Sequence, residues 1–541
     1  MPTREDDAFD SLVEELARFA MESDPAAATS VGLHQYDHML PDMSRSGMEL
    51  KARRVEEFLE KLRRIDASRL TGFRAYDYEA LTRALEYALI KLRDWPLWRM
   101  VPQGFSYGAS AIFALLLTRG SVPEQHLLFA LRSRVRGFAK LVEDSINAVD
   151  EPYSLWIDYV KSLAKGLPAL LGAVKALAKE LEDGELAGLC DRAVDELKKL
   201  SERLDDLASR ARPGYRPIGA ELYRKLLKTM FIEEDPERLR RIGYEEAERY
   251  RRLMEEAARE AGARSIEEAL EMIRREHPAS PDEVLNEYRR AIERARRFLA
   301  EKGVVELPPM ERVEVVETPE YARPVLPFAA YILPEIMGVS GKGFFLVTKP
   351  LSEDMLKHHN RFDILNTVVH EAYPGHHTQL SYLRLCPSIA RKLLIEPTDL
   401  VEGWAHYCEE LMLELGIERS PLYKVKVYHD ALWRAVRVYL DVELSTGMIS
   451  FEEAARKLAR DAYLPEEGAR AEVLRYTMTP GAQLCYNYGK RRILELRKEV
   501  ERILGKRFSL SLFHRMLLEE GNLPLALLAN VVVDKARKLA S

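Results

Sequence analysis

Seven of the twelve histidines lie between His358 and His429, a window of 72 residues in a chain of 541. Such crowding is what a metal site produces, because neutral imidazole is a frequent ligand of zinc and its neighbours. At its centre stands His370-Glu371-Ala372-Tyr373-Pro374-Gly375-His376-His377, approached by the helical run Phe362–Val369. Zinc proteases commonly carry HExxH on one helix, where two His at i and i+4 share a face and the Glu is the general base. Here position i+4 is Pro374, so the simple pattern fails.

The break contains its own remedy. In an unbroken helix His376 would sit about 600° around from His370, and His377 nearly in line but about 10.5 Å further along the axis. Pro374 has no N–H for the His370 carbonyl and biases Tyr373 away from the α region. Gly375 admits unusual backbone angles. The expectation is a bulge of about two residues that returns His376 to the place of the second ligand, with His377 as its rival.

A third ligand should come from another helix. The segment Val401-Glu-Gly-Trp-Ala-His-Tyr-Cys-Glu-Glu410 offers Glu402, His406 and Glu409. Glu402 follows His376 by 26 residues, enough for a helix end, a turn and a facing helix. Two imidazoles and a carboxylate, with water in the fourth position, make an open catalytic zinc site. In that reading Glu371 deprotonates the zinc-bound water, and Glu409 orients a ligand histidine from behind. Zn2+ is preferred over other divalent metals by ligand type. His406 reads as a helix-face residue within reach of the same metal, and Trp404 as packing. His358 and His359 either line the cleft or sit at a helix start.

Helices must carry this cluster. Apolar residues recur at three- and four-residue spacing over Asp6–Glu22, Leu50–Ile65 and the charged span Pro236–Lys302. Pro and Gly cluster at Arg212–Gly219 and Leu307–Pro309, which suggests regions 1–211, 212–310 and 311–541 within one continuous body. Beyond the second break, Arg312–Glu317, Val325–Leu333 and Gly343–Thr348 read as two or three short strands. The expected fold is mainly α with one small sheet.

The bulk properties narrow the partners. Net charge is −6, from 81 basic and 87 acidic residues, and no basic block stands out, which argues against nucleic acid. Four scattered cysteines, without a CxxC pair, read as reduced thiols of a cytoplasmic protein. The N-terminus shows no apolar signal region, and Ala109–Leu117 is too short to span a bilayer, so no membrane role is expected.

The strings HE-x-x-P-G-H-H and E-G-W-A-x-Y-x-E resemble the "domain of unknown function 885" family of predicted zinc peptidases, themselves similar to gluzincin metallopeptidases. The likeness extends over Gly32–Ser44, Arg216–Tyr223, Glu472–Tyr476, Pro480–Tyr486 and Phe513–Leu525. It implies a mostly helical body with a deep groove, a small sheet bordering the site, and peptide-bond hydrolysis. By position it implies His370, His376 and Glu402 as ligands and Glu371 as base. It also points to Tyr486, and then Tyr488, as oxyanion donors. Two positions depart from the family pattern: Ala482 stands where a Gln usually follows Pro-Gly, and Ser445 where a His usually follows the Arg437…Asp441 stretch.

Arg437 and Arg475 are candidates to grip a substrate carboxylate, or to pair with Asp441 or Glu472. The expected function is a zinc-dependent hydrolase of peptides. The alternatives are a zinc amidase or esterase on a non-peptide substrate, and a helical binding protein with a vestigial metal site.

Overall fold

The computed structural model describes residues 3–309, 311–318, 323, 329–332, 334–338 and 341–541. The described residues are mainly helical, with one three-stranded sheet. They divide into two compact units, one built on Met1–Arg216 and one on Pro217–Glu317 with Ser340–Ser541. The division falls inside the loop marked by Pro213, Gly214 and Pro217, where fixed φ values and missing donors end helices. Residues 217–309 group with the region that follows them.

In the first unit, helices Glu124–Ala148, Ser154–Glu180 and Gly184–Ser209 bury Leu, Val and Ala stripes against one another. The Gly32–Ser44 motif has a structural explanation here. His34 Nδ1 and His126 Nε2 both lie 2.9 Å from Oδ2 of buried Asp37. Beside them buried Arg134 donates to the carbonyls of Ala111 (2.6 Å) and Pro25 (2.9 Å). A buried guanidinium is tolerated because carbonyl oxygens satisfy it. Among the described residues no single helix is long and apolar enough to cross a membrane; one bent pair, Arg74–Arg99 with Gly104–Leu117, passes by length and composition.

In the second unit the charged span resolves into helices Pro236–Glu260, Ile266–Arg274 and Pro281–Lys302. The sheet has order β1-β3-β2: β1 (Arg312–Glu317) runs parallel to β3 (Lys342–Val347), and β2 (Ala329–Ile332) is antiparallel to it. The expected strand at Val325–Leu333 is thus seen as Ala329–Ile332, and 325–328 and 333 lie outside the described residues. β3 packs on the Pro281–Lys302 helix, with the rings of Tyr288 and Phe345 5.2 Å apart.

Four further helices carry the site: Arg361–Glu371, His376–Leu385, Thr398–Leu415 and Pro421–Thr446. A fifth, Cys485–Leu504, lies against Thr398–Leu415 at an unusually close approach. There a Cβ on Gly489 would meet the Asp399 carbonyl at 1.9 Å, and one on Gly403 would meet Gly489 Cα at 2.6 Å. Only paired glycines allow that contact. It brings Glu402 and Tyr486, each one turn or less from these glycines, to neighbouring backbones.

Candidate metal centre

The Arg361–Glu371 helix starts on Asn360, whose side chain accepts from Phe362 N and Asp363 N, and it ends at Glu371. The chain then turns through Ala372–Gly375 and a new helix begins at His376. The expected two-residue bulge is therefore a complete break. Proline cannot continue the ladder, so the chain folds back on the helix end: Ala372 N donates to Val368 O (2.8 Å) and Gly375 N to Val369 O (3.1 Å). Gly375 rests on the helix terminus so closely that a Cβ would lie 1.7 Å from the His370 carbonyl oxygen. Trp404, on the facing helix, donates its indole N–H to the Pro374 carbonyl at 2.9 Å. The turn sets the imidazoles of His370 and His376 edge to face, with centroids 4.9 Å apart.

Glu402 closes the constellation. Its Oε2 lies 3.7 Å from His370 Nε2 and 3.6 Å from His376 Nε2. One ligand atom from each of the three residues falls within 4.8 Å of the others. Side-chain exposures of 10 %, 11 % and 22 % leave this cage partly accessible to solvent. The separations are too long for hydrogen bonds. They suit a shared ion, since ligand atoms about 2.0–2.1 Å from zinc lie about 3.4 Å apart in a tetrahedron. Glu402 Oε2 is itself buried and has no hydrogen-bond partner.

The electrostatics favour a cation. Burial alone would lower the His370 imidazole, yet the carboxylates of Glu402 and Glu409 raise it to about 10. Burial opposes the charge on Glu402 as well, and the two histidines hold its carboxyl well below the usual range. The donor set therefore fits zinc by both chemistry and spacing.

Behind the cage, Glu409 Oε1 lies 2.7 Å from His370 Nδ1. Its Oε2 accepts from Asn366 Nδ2 at 3.2 Å, and Arg434 reaches Oε1 at 3.5 Å. Asn366 also donates to Asp430 Oδ2 at 2.6 Å. In the neutral imidazole that a metal would require, this arrangement keeps the proton on Nδ1 and leaves Nε2, on the side of Glu402, to ligate. His376 differs: its Nδ1 is buried without a partner.

His377 turns the other way. Its Nε2 lies 2.9 Å from Glu311 Oε2 and its Nδ1 2.5 Å from the Tyr331 hydroxyl, so both ring nitrogens are engaged. Tyr373 donates to the same Glu311 oxygen at 2.5 Å. Through Tyr331 of β2 the sheet stands beside the site.

Other expected residues sort themselves by contact. Tyr486 opens the Cys485–Leu504 helix, and its ring lies under the Arg437 guanidinium at 4.8 Å. Among the described residues its hydroxyl has no hydrogen-bond partner, and the residue is half-buried. Burial, Glu402 and the surrounding arginines together set the phenol at about 12, so it stays a donor at neutral pH. Tyr488 is committed elsewhere, donating to Glu234 at 2.9 Å. Arg437 pairs with Glu472 at 3.1 Å. Asp441 instead accepts from the backbone N–H groups of Gly481, Gln483 and Leu484 and from Ser445 Oγ (3.1 Å). Ser445 thus serves the loop ahead of Tyr486, and Ala482 is a turn residue of that loop. His406 is buried beside Glu409 at 3.6 Å, outside the cage. His358 and His359 lie between two helices, with His359 edge-on to Tyr288.

Sequence reasoning missed Asn366, Asp430, Arg434, Glu311 and Tyr331. Asn366 sits one helical turn before His370 and was legible by that spacing. The others are joined to the site only by tertiary packing.

The family described as "Bacterial protein of unknown function (DUF885)" matches residues 25–532. The chain belongs to this family. Two solved structures share the DUF885 fold seen here. One is described as "a putative lipoprotein of unknown function" from Shewanella oneidensis, with TM-score 0.77 and 21% identity, covering 98% of this chain and 100% of that one. The other is "the putative lipoprotein" from Colwellia psychrerythraea, with TM-score 0.79 and 19% identity, covering 99% and 100%. No curated protein matches the sequence.

Proposed function

We propose that this DUF885 chain is a zinc-dependent hydrolase acting on peptides. The observation that carries the reading is the cage itself: two imidazole nitrogens and one buried, unpartnered carboxylate oxygen, spaced for a shared ion and partly accessible to solvent. His370, His376 and Glu402 would hold the metal. Zinc held there supplies Lewis-acid chemistry at neutral pH.

The chain's own residues supply the rest. Glu371, the last residue of its helix and directly after His370, is half-buried and close enough for its charge to act on the His370 imidazole. Its carboxylate takes a proton from the attacking water and returns it to the leaving nitrogen, a role worth about 10²–10⁴-fold in rate. The hydroxyl of Tyr486 donates to the oxygen that gains charge at the scissile carbonyl. Glu409 and Asn366 hold His370 in the ligating tautomer.

The test is turnover of a dipeptide and tripeptide pool by zinc-reconstituted protein, beside simple esters and acyl amides and beside the Glu371→Gln variant. Cleavage of peptides, abolished in that variant with zinc retained, is the expected result. Cleavage of esters or non-peptide amides alone would make the enzyme an amidase or esterase. Zinc binding without turnover of any of these would leave a binding protein.

Four free, buried cysteines fit a reducing cytoplasm. The lipoprotein description of both solved neighbours points instead to a membrane surface. Fractionation of the native host separates the two.

A further inference from the structure

Arg437 is held in an unusual way. Its guanidinium lies between the rings of Trp433 (4.5 Å) and Tyr486 (4.8 Å). Nε donates to the Tyr476 hydroxyl at 2.8 Å and Nη2 to Glu472 at 3.1 Å. Among the described residues Nη1 has no hydrogen-bond partner, and the residue keeps 5% of its surface exposed. The fork is fixed on three sides with one edge open. Arg475 shares the same Glu472 oxygen at 2.8 Å and is 44% exposed. Two guanidinium groups therefore face one carboxylate, and a positive charge is left over.

The position of this charge matters. Arg434, one turn before Arg437 on the same helix, reaches Glu409, which in turn holds His370. From the other side, the close Gly403–Gly489 approach brings the helix of Tyr486 against that of Glu402, whose charge reaches the phenol. The Arg437 guanidinium thus lies over the ring of Tyr486, a residue close enough to Glu402 to feel its charge, at the margin of the cage. An arginine fork pre-ordered by stacking, beside an open polar site, is suited to a planar carboxylate.

We infer that Arg437 Nη1, with Arg475, receives a carboxylate of the substrate, so that the hydrolase acts on peptides presenting a free carboxylate next to the scissile bond. The class of reaction rests on the hydrolase reading; the binding step does not. The carboxylate has two possible sources, the chain terminus or an acidic side chain.

Calorimetry on the zinc-reconstituted full chain compares N-acetyl-dialanine as the free acid, its C-terminal amide, and N-acetyl-alanyl-glutamate with the terminal carboxyl amidated. At least tenfold tighter binding of the free acid over its amide is expected. Recovery of that affinity by the glutamate amide would assign an acidic side chain as the natural group; failure to recover it would assign the chain terminus. Arg475→Gln, a surface change, should shrink the acid-to-amide ratio at least threefold with zinc content and Tm unchanged, and Arg437→Lys should shrink it at least threefold with zinc content unchanged. Equal binding of acid and amide overturns the inference on unaltered protein, whatever the variants do. So does a ratio that survives both substitutions, because the carboxylate is then held elsewhere. Zinc content and peptide turnover on the same samples report separately on the hydrolase reading: discrimination of acid from amide without turnover would sink that reading and leave the carboxylate site.

Discussion

Glu409 Oε1 lies 2.7 Å from His370 Nδ1, across 39 residues of sequence. Both groups are buried, and each explains the other. A carboxylate taken out of water needs donors, and a ligand histidine needs its proton held on the far nitrogen. Burial would raise the Glu409 carboxyl, but Arg434 and His370 keep it well below the usual range. Replacing Glu409 by Gln should weaken zinc binding about 10- to 100-fold. Chelator competition measures this, and an unchanged affinity would remove Glu409 from the orienting role.

The two adjacent histidines should separate cleanly. Elemental analysis is expected to find stoichiometric zinc in the wild type and in His377→Ala, and to lose it in His370→Ala, His376→Ala and Glu402→Ala. The reason is geometric: both nitrogens of His377 are taken by Glu311 and Tyr331. Zinc lost with His377 and kept with His376→Ala would reverse the assignment.

The turn between the two site helices should tolerate little. Gly375→Ala places a methyl 1.7 Å from a carbonyl oxygen, and overpacking of this kind costs about 3 kcal/mol. Trp404→Phe leaves the Pro374 carbonyl without its indole donor, at about 1–3 kcal/mol. Urea unfolding reads both, and zinc affinity should fall with them. Wild-type stability in Gly375→Ala would show that the turn can shift.

Acid should destabilise the fold partly through His514. Burial, with the nearby Arg497 charge, lowers this imidazole to about 4 despite its contact with the Val304 carbonyl. The neutral form is the native one, so its contribution is complete above the ordinary value of 6.5 and is lost as pH falls through 4. Between those limits it adds about 1.4 kcal/mol of stability per pH unit. His359, also lowered to about 4, acts in the same direction. His514→Gln should be less stable at pH 7.5 but fall less steeply below pH 6.5 in urea titrations. An identical slope in both proteins would exclude His514 from the acid response.

Much of the site was legible in the residues. The histidine cluster, the failure of the i+4 spacing at Pro374 and the glycine after it pointed to His370 and His376, and the helical Glu-x6-Glu spacing supplied both Glu402 and Glu409. These are local rules: proline removes a donor, glycine permits close approach, and helical periodicity sets which residues share a face. The same rules gave the helical body and the short strands near 312–317 and 343–348.

Tertiary structure decided what local rules leave degenerate. Sequence alone could not choose between a bulge and a full break, because both follow from Pro374; the choice depends on Trp404 arriving from another helix to hold the turn. It could not choose between His376 and His377, since neighbouring residues on a helix point about 100° apart and only the position of Glu402 and Glu311 says which direction is the site. Nor could it free Arg437 from Asp441, whose oxygens go to the backbone of a loop 40 residues away. Buried polar groups must find partners, and which partners they find is settled by packing.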